Sequence, residues 1–315
     1  MTKASNALTV LLPVKNGEKY IHKSLECIVA NASSEDEILI INDGSSDNTE
    51  FILKSWAIKD SRINIINNHG RGLVNALNLG LNESNKNWIA RFDVDDIYPN
   101  YRLQKQRSII GKDVSAIFCD YSLWSSKIRK VGVIPSAVVP QAVSLSLINS
   151  QRTPHPGVLY NKEAVLSVGG YRKEDFPAED LSLWLRLSKI GKLVSVPEIL
   201  LNYRISKTSI TGLRRQEALM KKQYLLRNIQ LNFEDMHWCL NHSNELLKYY
   251  ESISCGSERQ ILFLKELKKA LNIYNIKSDQ LRDLEFKIFS NFSAIMGAAK
   301  LVQTKSKKKL AHKIN

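Results

Sequence analysis

Long hydrophobic runs are missing from this chain of 315 residues. No window reaches the roughly 18 consecutive apolar residues that a membrane-spanning helix needs. The nearest approach, "FKIFSNFSAIMGAAKLV", is broken up by Lys287 and Lys300. Cysteine is scarce. Cys27, Cys119, Cys239 and Cys255 form no CxxC pair, which excludes the usual zinc spacings and a small disulfide framework. Reduced thiols in the cytoplasm are the simplest expectation. The first residues, "MTKASNALTVLLPVKNG", carry only a short apolar run before Pro13 and read as a first strand, not a signal peptide. No fixed-period repeat is present. Acidic residues are outnumbered, 31 against 45 basic ones, for a net charge of +14. Residues 211–315 hold 19 Lys/Arg against 10 Asp/Glu, so most of the excess belongs to the last third. That suits an anionic partner such as a membrane surface, nucleic acid or a pyrophosphate-bearing substrate, or else a solvated Lys-rich helical face.

What is present begins with a regular alternation. "LTVLLPV" (8–14), "EILIIND" (37–43), "RINIINN" (62–68) and "WIARFDV" (88–94) read as buried strands. Between them, "GEKYIHKSLECIVAN", "TEFILKSWAIKD" and "GLVNALNLGLNES" have helical spacing. The order indicates an α/β fold, a doubly wound sheet that binds ligands at the carboxyl ends of its strands. "RLQKQRSII" reads as a helix and "VSAIFCDYSLW" as a further strand. "PHPGVLYNKEAVLSVGGY" reads as a loop, strand and short helix, "AEDLSLWLRLSKIG" as a helix, and "KLVSVPEILLNYRI" as strand, turn, strand. From about residue 212 the patterns are all helical, which places a domain boundary near 211.

Polar residues gather at the strand ends. "DVDD" puts Asp93, Asp95 and Asp96 in a sharp turn, where carboxylates at i and i+2 can share a hard divalent cation, or can form a solvated turn. An EF-hand fits poorly, because Tyr98 and Gln104 stand where its Gly and Glu belong. Asp43 in "IINDGSSD" can accept from a base N–H or a ribose, or cap a helix with Asp47 and Thr49 nearby. Glu179 and Asp180 open an amphipathic helix. The macrodipole alone favours them there, while a carboxylate whose neighbour raises its proton affinity also suits a general base. "GRGLVN" (70–75) imitates a dinucleotide fingerprint, but it follows the third strand and has Asn75 at the third glycine position. His155 lies between two prolines, as a turn residue or a substrate contact.

Taken in order, "LTVLLPVKNGEKYIHKSLECI", "EILIINDGSSDNT", "NNHGRGLVNALNLGL", "WIARFDVDDIYPNYRLQKQ", "PHPGVLYNKEAVLSVGGYR", "AEDLSLWLRLSKIGKL" and "YRISKTSIT" resemble the inverting family 2 glycosyltransferases. The likeness covers about residues 7–211. It implies a GT-A (Rossmann-like) mostly parallel sheet flanked by helices, over residues 1–211, with a nucleotide-sugar half to about 100 and an acceptor half after it. An α-helical region with a basic tail would fill 212–315. The resemblance implies that Asp43 contacts the nucleotide base and that Pro13, Val14 and Asn68 lie against the nucleotide; Arg91, or else Arg71, would stand in on the donor side for the arginine missing from "ARN". It further implies that Asp93 and Asp95 form the DxD pair, Asp95 meeting Mn2+ or Mg2+ and Asp93 lying nearer the ribose. Asp180 would be the catalytic base, Glu179 its neighbour and acceptor contact, and His155 an acceptor-side residue. The chain departs from the family pattern at Asn42, at Ala76 to Asn78 in place of "ARN", and at Ser206 in place of a histidine.

The expected reaction is inverting transfer from a UDP-sugar to a hydroxyl of a glycan or polyprenyl-pyrophosphate-linked acceptor in bacterial surface polysaccharide synthesis. Phe286, Phe289, Phe292 and Ile295 followed by a lysine-rich end suggest an amphipathic contact with an anionic membrane, on its cytoplasmic face. Two other classes fit worse. A sugar-nucleotide pyrophosphorylase needs a Gly- and Arg/Lys-rich loop after strand one, which "PVKNGEKY" lacks. A nucleic-acid-binding protein lacks a binding motif, and the excess charge lies away from the aspartates.

Overall fold

The computed structural model describes residues 7–125, 132–134, 140–147, 153–206 and 209–227. All of them belong to one compact unit, Met1–Met236. The expected amphipathic helix, the basic tail, Cys239 and Cys255 lie outside the described residues.

The first half is a run of strand–helix units: β1 (Leu8–Val14), α1 (Glu18–Asn31), β2 (Glu37–Asn42), α2 (Thr49–Lys59), β3 (Ile63–Asn67), α3 (Leu73–Glu83) and β4 (Trp88–Arg91). α4 (Arg102–Arg107), β5 (Val114–Trp124), β6 (Gly132–Ile134), α5 (Pro140–Ser146), β7 (Leu159–Asn161) and α6 (Lys162–Ser167) follow. α7 (Glu179–Leu187), β8 (Lys192–Arg204), α8 (Ile210–Leu213) and α9 (Arg215–Arg227) complete the described chain. Eight strands form one sheet in the order β3-β2-β1-β4-β7-β5-β6, with β8 along β5. The first four strands in that order run parallel, because a helix joins each to the next. β7 is antiparallel to both β4 and β5, so β5 and β8 point the same way as β4. The carboxyl ends of β1, β2, β3, β4, β5 and β8 therefore share one edge.

Burial explains the composition of each strand. β1 is central and buried throughout, so it is apolar on both faces. β3 is the outer strand, and only Ile63 of it is buried, with Asn64 and Asn67 exposed. Pro13 is tolerated inside β1 because the pairing with β4 ends at Leu11, so its missing N–H leaves no ladder bond unmade. Gly80 of α3 sits so close to β1 that a Cβ would come within 2.3 Å of Leu11 Cδ1.

The segment 192–204 is one strand, not the expected strand–turn–strand. Its register against β5 slips between Cys119↔Val196 and Asp120↔Ile199, a bulge that takes up Pro197 and Glu198. Proline cannot donate to a ladder, and a bulge accommodates it without ending the strand. β6 and α5 had no counterpart in the sequence reading. Short elements of three and seven residues carry too little periodicity to be recognised.

Candidate active site

The donor-side end of the carboxyl edge is built from three loops. Val14 closes β1, and its carbonyl accepts the Asp43 N–H at 2.8 Å. Asp43 follows β2 and is buried. Its Oδ1 accepts from Asn68 Nδ2 at 2.6 Å and from the Gly72 N–H at 3.0 Å. These bonds leave Oδ2 without a partner among the described residues. Asn68 is buried too, and its Oδ1 has no partner there either. Gly44 makes the arrangement possible. It has φ +66°, and a Cβ would lie 2.9 Å from the Gly70 nitrogen, so the loops after β2 and β3 touch at a point only glycine fits. The loop after β1 is tied in as well: Ser46 N donates to Asn16 Oδ1 at 2.8 Å and Gly17 N to Thr49 Oγ1 at 2.8 Å. Arg71 is exposed on the loop after β3.

The "DVDD" turn leaves β4 and handles its three charges in three ways. Asp93 Oδ1 forms an ion pair with Nη1 of Arg91, whose side chain is only 3% exposed. The Asp93 N–H donates to Tyr98 Oη at 2.8 Å. Asp96 is buried and accepts the Arg204 N–H at 2.7 Å, while its Oδ2 has no partner among the described residues. Burial, then Asp93, pushes its carboxyl well above the usual range. Asp95 has no ion-pair partner among the described residues. Burial, then the neighbouring Asp93, raises its pKa. Beneath the turn lies Arg102, fully buried, with its guanidinium 4.1 Å from the Phe92 ring centroid and 4.7 Å from that of Tyr98. It donates to the Arg91 carbonyl at 2.9 Å and to that of Val158 at 3.2 Å.

Glu179 and Asp180 form the first turn of α7, facing the same edge. Trp184 anchors the helix: it is fully buried and meets Phe118 of β5 edge-on at 5.3 Å. Glu179 is buried, and burial followed by the charge of Asp180 pushes its pKa up to about 8. Burial also raises Asp180, while Lys222 of α9 acts the other way. Asp93 raises both groups, so the two acidic clusters feel each other's charge. His155 is buried behind this pair. Its Nε2 lies 3.0 Å from Tyr171 Oη and its Nδ1 4.0 Å from Glu179 Oε1. Burial and then Arg91 lower its pKa well below the usual value, so the ring is neutral. Asn78 holds Tyr171 in place by both main-chain groups, donating to its carbonyl at 2.8 Å and accepting its N–H at 2.9 Å.

All ten residues singled out from the sequence thus sit at or just behind the carboxyl edge. Asp43 and Asn68 are in direct contact, as are Arg91 and Asp93, while His155 lies one atom's reach from Glu179. The sequence reading passed over Arg102, Asn78, Tyr171, Lys222 and Arg204. A single basic or amide residue in a helix or strand reads as surface unless its distant partner is known. Arg102, Asn78, Tyr171 and Arg204 do stand inside the stretches that carry the family resemblance, Asn78 in the "ALN" that departs from its pattern, but nothing local marks what each one holds.

The carboxylates fit a hard cation in part. Asp95 is short of positive charge, and Asp96 has an orphaned oxygen. Among the described residues no three His, Cys, Asp or Glu side chains converge as a ready ligand set. Such a site would draw its remaining oxygens from phosphate and water, which Mg2+ and Mn2+ accept readily.

A family model described as glycosyl transferase family 2 matches residues 9–130. An uncharacterized glycosyltransferase of Haemophilus influenzae is 27% identical over 291 residues, covering 86% of this chain and 88% of its own. The UDP-Gal:alpha-D-GlcNAc-diphosphoundecaprenol beta-1,3-galactosyltransferase of Escherichia coli is 28% identical over 224 residues, covering 67% of this chain and 79% of its own. Among solved structures, the mannosyltransferase PcManGT of Pyrobaculum calidifontis, in complex with GDP-Man and Mn2+, superposes with a TM-score of 0.57 at 15% identity, covering 93% of this chain and 86% of that one. The strand order, the polar carboxyl edge and these matches agree: residues 9–130 match the glycosyl transferase family 2 model, and the chain is a glycosyltransferase with the GT-A fold.

Proposed function

We propose that the enzyme transfers a sugar, with inversion, from a UDP-sugar to a hydroxyl of a lipid-linked glycan in surface polysaccharide synthesis. The observation that carries this reading is the pairing of two acidic clusters at one edge: the "DVDD" turn on the donor side and Glu179–Asp180 at the start of α7.

The free Oδ2 of Asp43 accepts the N–H of the base, with Asn68 holding the carboxylate in position and Pro13 and Val14 forming the floor beneath the nucleotide. Uracil N3–H and guanine N1–H would both satisfy that oxygen, so the choice of uridine leans on the Escherichia coli relative, whose name specifies UDP-Gal. Arg91 orients Asp93 toward the ribose. Asp95, with Asp93, would hold Mn2+ or Mg2+, which when bound neutralises the donor diphosphate. Asp180 takes the proton of the acceptor hydroxyl as that oxygen attacks the anomeric carbon and the bond from that carbon to the diphosphate breaks, the nucleoside diphosphate leaving with its electron pair. Its raised proton affinity brings it closer to working pH than an exposed aspartate would be. Glu179 steadies the acceptor, and His155 positions Glu179. The donor half then spans about residues 1–100, the acceptor half 101–211 and the helical region 212–315.

The same relative is named for an acceptor on diphosphoundecaprenol, which supports a polyprenyl-diphosphate-linked glycan here. Among the described residues no helix is long and apolar enough to cross a membrane.

Asp180→Asn tests the reading. It should reduce turnover by at least about 1,000-fold, within the usual reach of acid–base catalysis, while UDP-sugar binding by calorimetry changes little. Turnover near the wild-type rate would remove Asp180 as the base.

A further inference from the structure

Arg204 ends β8 at the carboxyl edge, and its guanidinium lies over two rings. The central carbon lies 4.2 Å from the ring centroid of Tyr20, in the first turn of α1, and 5.4 Å from that of Trp124, at the end of β5. The strand ends themselves are fixed by other bonds. The Arg204 N–H donates to Asp96 Oδ1 at 2.7 Å, and Trp124 Nε1 donates to the Asn202 carbonyl at 2.9 Å. Among the described residues the guanidinium has neither a hydrogen-bond acceptor nor an ion-pair partner. It is only partly exposed, yet its charge reaches Asp95 and counters the rise in that carboxyl's pKa.

A guanidinium carries five N–H donors around its rim, all in one plane. Stacking on aromatic rings occupies its faces and leaves that rim available. A planar fork of this kind matches a phosphate through paired N–H···O bonds. Of the other arginines at this edge, Arg91 is buried and already paired with Asp93, and Arg71 stands exposed on the loop after β3. The turn beside Arg204 is strongly acidic, with Asp93, Asp95 and Asp96, so an anionic ligand there needs a cation that is not committed elsewhere.

We propose that Arg204 is a diphosphate-binding residue. Its N–H rim holds the donor diphosphate, and then the departing nucleoside diphosphate, with Tyr20 and Trp124 keeping the fork pre-oriented. Positive charge from β8 thus compensates for Ser206 and for Ala76 to Asn78, where the sequence lacks a histidine and an arginine. The inference rests on the nucleotide-sugar reading above and adds a residue to it.

The test is calorimetric titration of the full chain, in Mn2+, with UDP, GDP and dTDP and with the matching nucleosides. Wild type should bind one diphosphate more tightly than its nucleoside. Arg204→Ala should weaken that diphosphate by about 10- to 100-fold, the range for a lost charged hydrogen bond, with nucleoside affinity and melting temperature unchanged. Arg204→Lys should recover part of the loss. Diphosphate affinity within about threefold of wild type, or an equal loss for diphosphate and nucleoside, would overturn the role of Arg204 alone. If wild type binds no nucleoside diphosphate, the nucleotide-sugar reading falls and this proposal with it.

Discussion

Three aspartates within four positions survive at the end of a buried strand because each has a different neighbour. Asp93 has a buried arginine, Asp96 has the main-chain N–H of Arg204, and Asp95 has its own main-chain N–H but no ion-pair partner among the described residues. Residue by residue, the uncompensated charge is concentrated on the group best placed to meet a cation. The same logic governs Glu179, raised from 4.5 to about 8. The folded protein holds a proton there that the unfolded chain releases, so the contribution of Glu179 to stability is fully present below pH 4.5 and is lost as pH rises toward 8. Glu179→Gln removes that fall. Its stability relative to wild type should grow between pH 5 and pH 8, by about 1.4 kcal/mol per pH unit at most. Urea unfolding at the two pH values measures this, and equal slopes for both proteins would contradict it.

Among elements, the loops do the positioning and the strands carry them. Strands β1, β2 and β3 end in step because they pair in parallel register, and their loops then meet through Gly44, Gly70 and Asn68. An alanine at Gly44 would be strained by its positive φ and would push against the Gly70 backbone. Gly44→Ala should lower stability by about 1–3 kcal/mol and weaken UDP several-fold, because the displaced loop carries Asn68 and Gly72, which orient Asp43. A melting curve and a UDP titration check both effects; wild-type values in both would show that the contact between loops is dispensable. The alternating strands and helices were legible in advance, since apolar runs and 3.6-residue periodicity are local signals. The β8 bulge was not. Pro197 reads locally as a break, and only the long neighbouring strand β5 keeps the chain extended through it.

For the whole molecule, the sheet gathers residues far apart in the chain. Asn78 reaches Tyr171, Asp96 reaches Arg204, and Lys222 of α9 acts on Asp180. The basic C-terminal residues lie outside the described structure, and their role is open to a direct experiment. Full-length protein should sediment with vesicles containing anionic lipid more strongly than a chain ending at residue 299, with the difference lost at high salt. Equal binding of the two would remove the tail from membrane contact.

The amino-acid sequence by itself determined the α/β alternation, the strand ends where chemistry gathers, and the carboxylates Asp43, Asp93, Asp95, Glu179 and Asp180 in their order. Buried strands and acidic turns are written in short stretches of chain. The tertiary structure alone decided which cation answers which carboxylate: Arg91 turned inward to Asp93, Arg102 buried beneath the turn, Arg204 stacked and uncommitted. A charge interacts through space with whatever the packed fold brings near it, and spacing along the chain does not carry that information.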